Sequence, residues 1–142
     1  MKTIVNHFRL SVVIPISAFL ITVIIFRFVF VLGVVPSKSM EPTISGDNTF
    51  ILGFRLDRDY SVGDVVVFRH EGRLLVKRIA YQSGDALVHN SVPVTVPDNT
   101  FYMLGDNSEY SVDSRYWDQP YVPESDVIAK VILPDCGKQP PQ

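Results

Sequence analysis

Cysteine is almost missing from this chain. Cys136 stands alone, so no intrachain disulfide can form and a disulfide-stapled scaffold is excluded. Acidic side chains are wholly missing from residues 1–40, which carry Lys2, Arg9, Arg27 and Lys38 but no carboxylate. Residues 41–142 hold nine basic and fifteen acidic residues, so a head of +4 is joined to a body of −6. Like charges form no run, and the basic residues of the body form no cluster, which argues against a nucleic-acid binder. The 46% hydrophobic content excludes a disordered protein. At 142 residues the chain fits one domain. Its mean hydropathy of +0.18 is high for a small soluble domain, and the excess sits in the head.

Leu10–Phe26 is an uncharged run of seventeen residues, LSVVIPISAFLITVIIF. As a helix it would be roughly 25 Å long, near the lower limit for crossing a bilayer. It has no polar face, and Pro15 is tolerable near the start of a membrane helix. Arg27 marks the far interface, because a charge at mid-membrane is costly. A cleavable secretion signal is the other reading, with Lys2 and Arg9 as its basic region. The run is long for a signal, however, and no A-x-A site follows it. The expectation is a retained anchor at 10–26 behind a short cytoplasmic tail at 1–9. Charge barely decides the orientation, since Arg27 and Lys38 balance the N-terminal cations. The body is expected outside.

Past residue 40 the pattern is β. Thr49–Phe54, Asp64–Arg69, Arg73–Ile79, Ala86–His89, Val92–Val96, Thr100–Leu104 and Asp126–Leu133 are short apolar runs separated by Gly, Asp, Asn and Pro turns. No amphipathic helix of ten residues and no internal repeat is present. Phe28–Val35 reads as a first strand leaving the membrane. The fold expected is mainly β, a single compact domain over 27–133 behind one transmembrane helix. The Pro-rich end, 134–142, is expected to be disordered.

Histidine is sparse. His7 lies in the tail, and His70 and His89 lie at strand ends without a partner at metal-ligand spacing, so no zinc site or His-based triad is signalled. They are expected to be exposed, and Cys136 to be a passive thiol. Neither a metal nor a cofactor is expected. Pro36-Ser37-Lys38-Ser39-Met40-Glu41-Pro42-Thr43 puts two serines between prolines just outside the interface, which suits a fixed loop better than a tether. Lys77 sits inside an apolar strand, and alternation sets Leu75 and Ile79 on its own face. One reading points Lys77 to solvent. The other buries it, and desolvation then lowers its pKa until the neutral amine can act as a base toward a serine hydroxyl. Residues 105–117, GDNSEYSVDSRYW, pack Asp106, Asn107, Ser111, Asp113, Ser114 and Arg115 into a polar stretch. It is either a surface loop or a set of groups that orient an amine.

Taken together, these segments resemble type I signal peptidases, the membrane-anchored Ser/Lys proteases that remove leader peptides. PSKSMEPT, GDVVVF at 63–68, VKRIA at 76–80 and GDNSEYSVDSRYW follow one another in the family's order. The resemblance implies Ser39 as nucleophile and Lys77 as general base, with Ser37 lending its hydroxyl to the oxyanion hole. It also implies Ser111 as orienter of the lysine. Asp113 and Arg115 would form a supporting ion pair beside Ser114, and Asp106 and Asn107 would shape the loop. Val35, Met40, Ile44, Leu75 and Val76 would line the pockets for small residues at −1 and −3 of the leader. The implied body is a β fold shared with self-cleaving repressors of the LexA type. The implied partners are signal peptides of exported preproteins and membrane lipid, without nucleic acid or metal. The implied place is the plasma (inner) membrane, crossed once, with the catalytic domain on the extracytoplasmic side.

Lys38 stands where a small residue is common. Gly33 stands where relatives can carry a bulky one, which predicts a roomier −3 pocket. Only 27 residues separate Lys77 from Gly105, too few for the inserted cap of some relatives. Three alternatives remain beside a general processing peptidase. They are a peptidase dedicated to one substrate, a LexA-like self-cleaving protein, and a membrane-tethered β module without catalysis.

Overall fold

The computed structural model describes residues 2–139, with side chains from Ser11 onward. Helix α1 runs Lys2–Val29, three residues beyond the uncharged run. Within it Ser11–Val29 is long and apolar enough to cross a membrane. Two polar side chains in this span satisfy themselves: Ser17 Oγ donates to the Ile14 carbonyl at 2.9 Å and Thr22 Oγ1 to that of Ala18 at 2.9 Å. Arg27 in the last turn complements the negative end of the helix dipole. Of the tail expected at 1–9, Met1 and the side chains lie outside the described residues.

Among the described residues nine strands follow: β1 Phe30–Val35, β2 Thr49–Phe54, β3 Val65–His70, β4 Arg73–Gln82, β5 Ala86–His89, β6 Val92–Thr95, β7 Thr100–Leu104, β8 Tyr121–Pro123 and β9 Val127–Leu133. Seven form one antiparallel sheet in the order β1-β2-β9-β3-β4-β7-β8, while β5 and β6 make a separate hairpin. The C-terminal strand β9 is thus inserted between β2 and β3. Three strands separate β1 from β4, yet the 3₁₀ turn Lys38–Met40 after β1 packs on β4. The sheet must therefore curl. Register shifts at Leu52/Gly53, Val67/Phe68 and Ile79/Tyr81 supply bulges that bend it.

β3 explains where the core sits. Its Val-Val-Val-Phe run is buried throughout, as expected of a strand covered on both faces. Val65 and Val67 pack with Val35, Met40, Ile44, Ile51, Val131 and Cys136. Val66 and Phe68 pack on the other face with Ile79, Phe101, Met103 and Val122. A third cluster, with Leu87, Val96 and Tyr102, lies under the hairpin.

Two local expectations are corrected. The end of the chain is not loose from Pro134: Cys136 is buried in the first cluster, and its carbonyl and that of Gly137 accept hydrogen bonds from Arg78. Lys138 Nζ reaches Ser61 Oγ at 2.7 Å. Proline content misled here, because the segment satisfies its carbonyls with a side chain rather than a strand. Residues 140–142 lie outside the described residues. Neither body histidine is fully exposed: His70 stacks on Trp117 at 3.9 Å, and His89 Nδ1 lies 3.1 Å from the Tyr102 hydroxyl.

Candidate active site

The end of β1 delivers Val35, Pro36 and Ser37 into the 3₁₀ turn that holds Ser39. The turn is fixed from both sides. Ile44 N–H donates to the Met40 carbonyl at 2.8 Å, and Asn107 N–H donates to the Ser39 carbonyl at 3.0 Å. Ser39 is buried, with its Oγ 3.3 Å from that of the exposed Ser37.

On β4, Lys77 lies opposite Val66 and Arg78 opposite Val65, so the two cations leave the strand on opposite faces. Lys77 is only 4% exposed, and Nζ donates to Ser111 Oγ at 3.1 Å. Ser111 Oγ donates in turn to Asp113 Oδ2 at 2.6 Å. The direction of this relay follows from ionisation. Burial alone would raise the Asp113 pKa, but hydrogen bonds from Arg115, the Gly105 N–H and Ser111 hold it below the usual carboxylate range. Asp113 is therefore an acceptor only, and the Ser111 proton points at it. The free lone pair of Ser111 then faces the amine. Lys77 spends an N–H on Ser111, and a neutral Nζ keeps its lone pair for another proton. Desolvation pulls the Lys77 pKa from its ordinary 10.5 to about 8, with the Arg115 charge acting in the same direction and Asp113 and Asp106 opposing.

Arg115 clamps Asp113 through Nε at 2.9 Å and a terminal nitrogen at 2.8 Å. Ser114 supports the same loop, accepting from Met103 N–H at 2.9 Å while its own N–H donates to the Met103 carbonyl. Gly105 is required by space. A Cβ there would fall inside contact distance of Ser111 Oγ and the Ser39 carbonyl oxygen. Gly105→Ala is expected to lower stability by about 1–3 kcal/mol, the usual cost of overpacking, measured by thermal unfolding in detergent. An unchanged Tm would show that the two loops can part without loss.

Ser37, Ser39 and Lys77 share the walls of one cavity of about 260 Å³ with Val34, Val35, Pro36, Leu74, Leu75 and Val76. Of the apolar residues expected there, Val35, Leu75 and Val76 line it. Met40 and Ile44 do not: both are fully buried in the core beneath. The 3₁₀ turn points Met40 inward and the turn that follows it does the same for Ile44, a direction that spacing alone cannot give. Val34, Pro36 and Leu74 take part instead. Gly33 opens no room in this cavity, because its missing side chain would meet Ile51 across the β1–β2 pair.

The sequence reading missed a second centre beside the first. Asp106 does more than shape a loop: it forms a two-pronged ion pair with buried Arg78, at 2.8 and 2.6 Å. Arg78 also donates to the carbonyls of Gly63 at 2.6 Å, Gly137 at 2.7 Å and Cys136 at 3.2 Å, and to Thr43 Oγ1 at 3.4 Å. The available signal was a second cation inside an apolar strand. Among the described residues no group of three or more His, Cys, Asp or Glu could hold a metal ion.

The family model described as "Signal peptidase, peptidase S26" matches residues 8–96 and 82–134. The chain is 31% identical to mitochondrial inner membrane protease subunit 1 of Schizosaccharomyces pombe, covering 88% of this chain and 85% of that protein. It is 30% identical to the probable signal peptidase I-2 of Synechocystis sp., covering 70% of this chain but only 60% of the relative's length. Signal peptidase I of Bacillus amyloliquefaciens is 28% identical over 70% of this chain and 73% of its own. With the family model spanning nearly the whole chain, and one relative above 30% identity along most of both lengths, this chain belongs to the signal peptidase family, peptidase S26.

Proposed function

We propose that the protein is a membrane-anchored serine endopeptidase that removes leader peptides from exported preproteins, with Ser39 as nucleophile and Lys77 as general base. The observation that carries this reading is the one cavity whose walls hold both Ser39 and a buried lysine that donates a hydrogen bond to Ser111. Neutral Lys77 takes the Oγ proton as Ser39 attacks the scissile carbonyl. The Ser37 hydroxyl and the Ser39 N–H stabilise the oxyanion. The lysine then gives its proton to the departing amine, leaving an ester on Ser39. A water, deprotonated by the same amine, hydrolyses that ester and Ser39 regains its proton.

Strand pairing supports an extended substrate. Among the described residues β1 is an edge strand, and β4 has no partner on its β7 side before Arg78. The cavity lies between these two edges, where a peptide can add main-chain hydrogen bonds. Its apolar walls and small volume favour small side chains at −1 and −3. The site follows α1 directly, which suits a substrate that is itself held in the membrane. The body is assigned to the extracytoplasmic side of a plasma (inner) membrane.

The test uses the full chain in mild detergent with a precursor carrying Ala at −1 and −3. Cleavage on the C-terminal side of the −1 residue is expected, and Phe at −1 should stop it. No cleavage, or an unchanged rate with Phe, would overturn the reading. Ser111→Ala should lower kcat roughly 10- to 100-fold, the worth of one hydrogen bond to a charged group, with little change in KM. A rise in KM with kcat unchanged would remove Ser111 from the lysine's orientation.

A further inference from the structure

A second cavity, of about 280 Å³, lies where the anchor meets the body and is lined by Phe26, Arg27, Phe30, Val31, Leu32 and Arg55. Its two arginines come from different elements, Arg27 from the last turn of α1 and Arg55 from the residue after β2. The junction is well tied. Arg55 N–H donates to the Val29 carbonyl at 2.8 Å, and Arg55 Nε donates to the Phe30 carbonyl at 3.3 Å. The Phe26 and Phe30 rings lie 4.9 Å apart and those of Phe30 and Phe54 5.6 Å apart, an aromatic chain from helix to sheet. Among the described residues neither arginine has a carboxylate partner, although the body carries a net charge of −6. The Nε bond orients the Arg55 guanidinium and leaves its terminal N–H groups for another acceptor.

The position narrows the acceptor's chemistry. α1 ends at Val29, so Arg27 and Arg55 sit at the level where an anchored chain leaves the bilayer. Planar guanidinium groups match phosphate oxygens in two-pronged fashion, and phospholipid headgroup phosphates lie at this depth. The flanking Phe26, Phe30 and Leu32 offer apolar surface to acyl chains. We infer that Arg27 and Arg55 form a binding site for a phosphate group, namely the headgroup phosphate of a membrane phospholipid. This rests on α1 being the membrane anchor and is independent of the peptidase chemistry.

The test is native mass spectrometry of the full chain in mild detergent, titrated separately with phosphatidylglycerol, diacylglycerol and inorganic phosphate. Wild type should hold one phosphatidylglycerol at least ten-fold more tightly than Arg27→Gln/Arg55→Gln. The charge-matched control Arg69→Gln/Arg73→Gln should bind like wild type, and Arg55→Lys should bind between the two. Circular dichroism checks that each variant is folded. Equal retention of diacylglycerol, an equal loss in the control pair, or no loss in the double variant would overturn the inference. Binding of inorganic phosphate that displaces the lipid would assign the site to free phosphate and overturn the lipid assignment.

Discussion

Lys77→Met should leave cleavage of a leader-bearing precursor roughly 1,000-fold or more below wild type, as loss of an essential base does, while making the protein more stable. The two effects share one cause. Burial pulls Lys77 to about 8, so at pH 7 the native state carries a protonated amine in a site that disfavours it. A folded-state pKa below the ordinary 10.5 means that the native state binds its proton less well than the unfolded chain. Stability therefore rises between about pH 8 and 10.5, and below pH 8 the charged lysine costs roughly 3 kcal/mol. Methionine has nearly the same length and no charge, and Ser111 keeps Asp113 as a partner. A Tm several degrees above wild type at pH 7 is expected, with the gain vanishing at high pH. Activity runs in the same direction as stability: kcat/KM should rise with pH through about 8, where the amine becomes neutral. A profile with its midpoint near 10.5 would mean a solvated lysine. Measurable turnover by Lys77→Met at the wild-type rate would remove it from the chemistry. Ser39→Ala should match the rate loss without the gain in Tm, since no buried charge is removed.

Legibility in the sequence follows the range of the interactions. Thr49–Phe54, Ala86–His89 and Thr100–Leu104 are strands with the bounds their runs of Val, Phe, Tyr and Leu suggest, because turn residues close each run locally. β8 is only three residues long and exists by pairing with β7, so no run announces it. Lys77 stands out because its strand neighbours Leu75 and Ile79 already define an apolar face. Arg78 does not, because its partners lie at Thr43, Gly63, Asp106 and the C-terminal segment, four places far apart in sequence. Insertion of β9 beside β3 carries residues 134–138 to this cation, and without that topology the same residues read as a loose tail. Val34 and Leu74 belong to the cavity for the same reason: only the curl of the sheet brings the two edges face to face.

Arg78→Met should be strongly destabilising. Arg78 and Asp106 are 3% and 7% exposed, and removing one partner of a buried pair leaves an uncompensated charge, a loss of about 3–5 kcal/mol. Equilibrium denaturation in detergent measures it. The double variant Arg78→Met/Asp106→Leu should recover much of the loss, because no lone charge remains. A double variant as unstable as Arg78→Met would place the cost in packing instead. The chain carries its own reporter for the accompanying change. Cys136 is the sole cysteine, and burial pushes its thiol up to about 11, with Arg78 opposing that rise. In the wild type a thiol reagent at pH 8 therefore finds a covered thiol that is almost wholly protonated. Arg78 holds the Cys136 and Gly137 carbonyls, so Arg78→Met frees this segment from the core. Exposure returns the thiol toward 8.5 and raises the thiolate fraction at pH 8 by about two orders of magnitude. Native-state labelling should accelerate by at least that factor in Arg78→Met and by much less in Lys77→Met, whose strand neighbour remains bound. Equal labelling rates in wild type and Arg78→Met would show that the segment is held by the packing of Cys136 against Met40 and Ile44 rather than by the guanidinium.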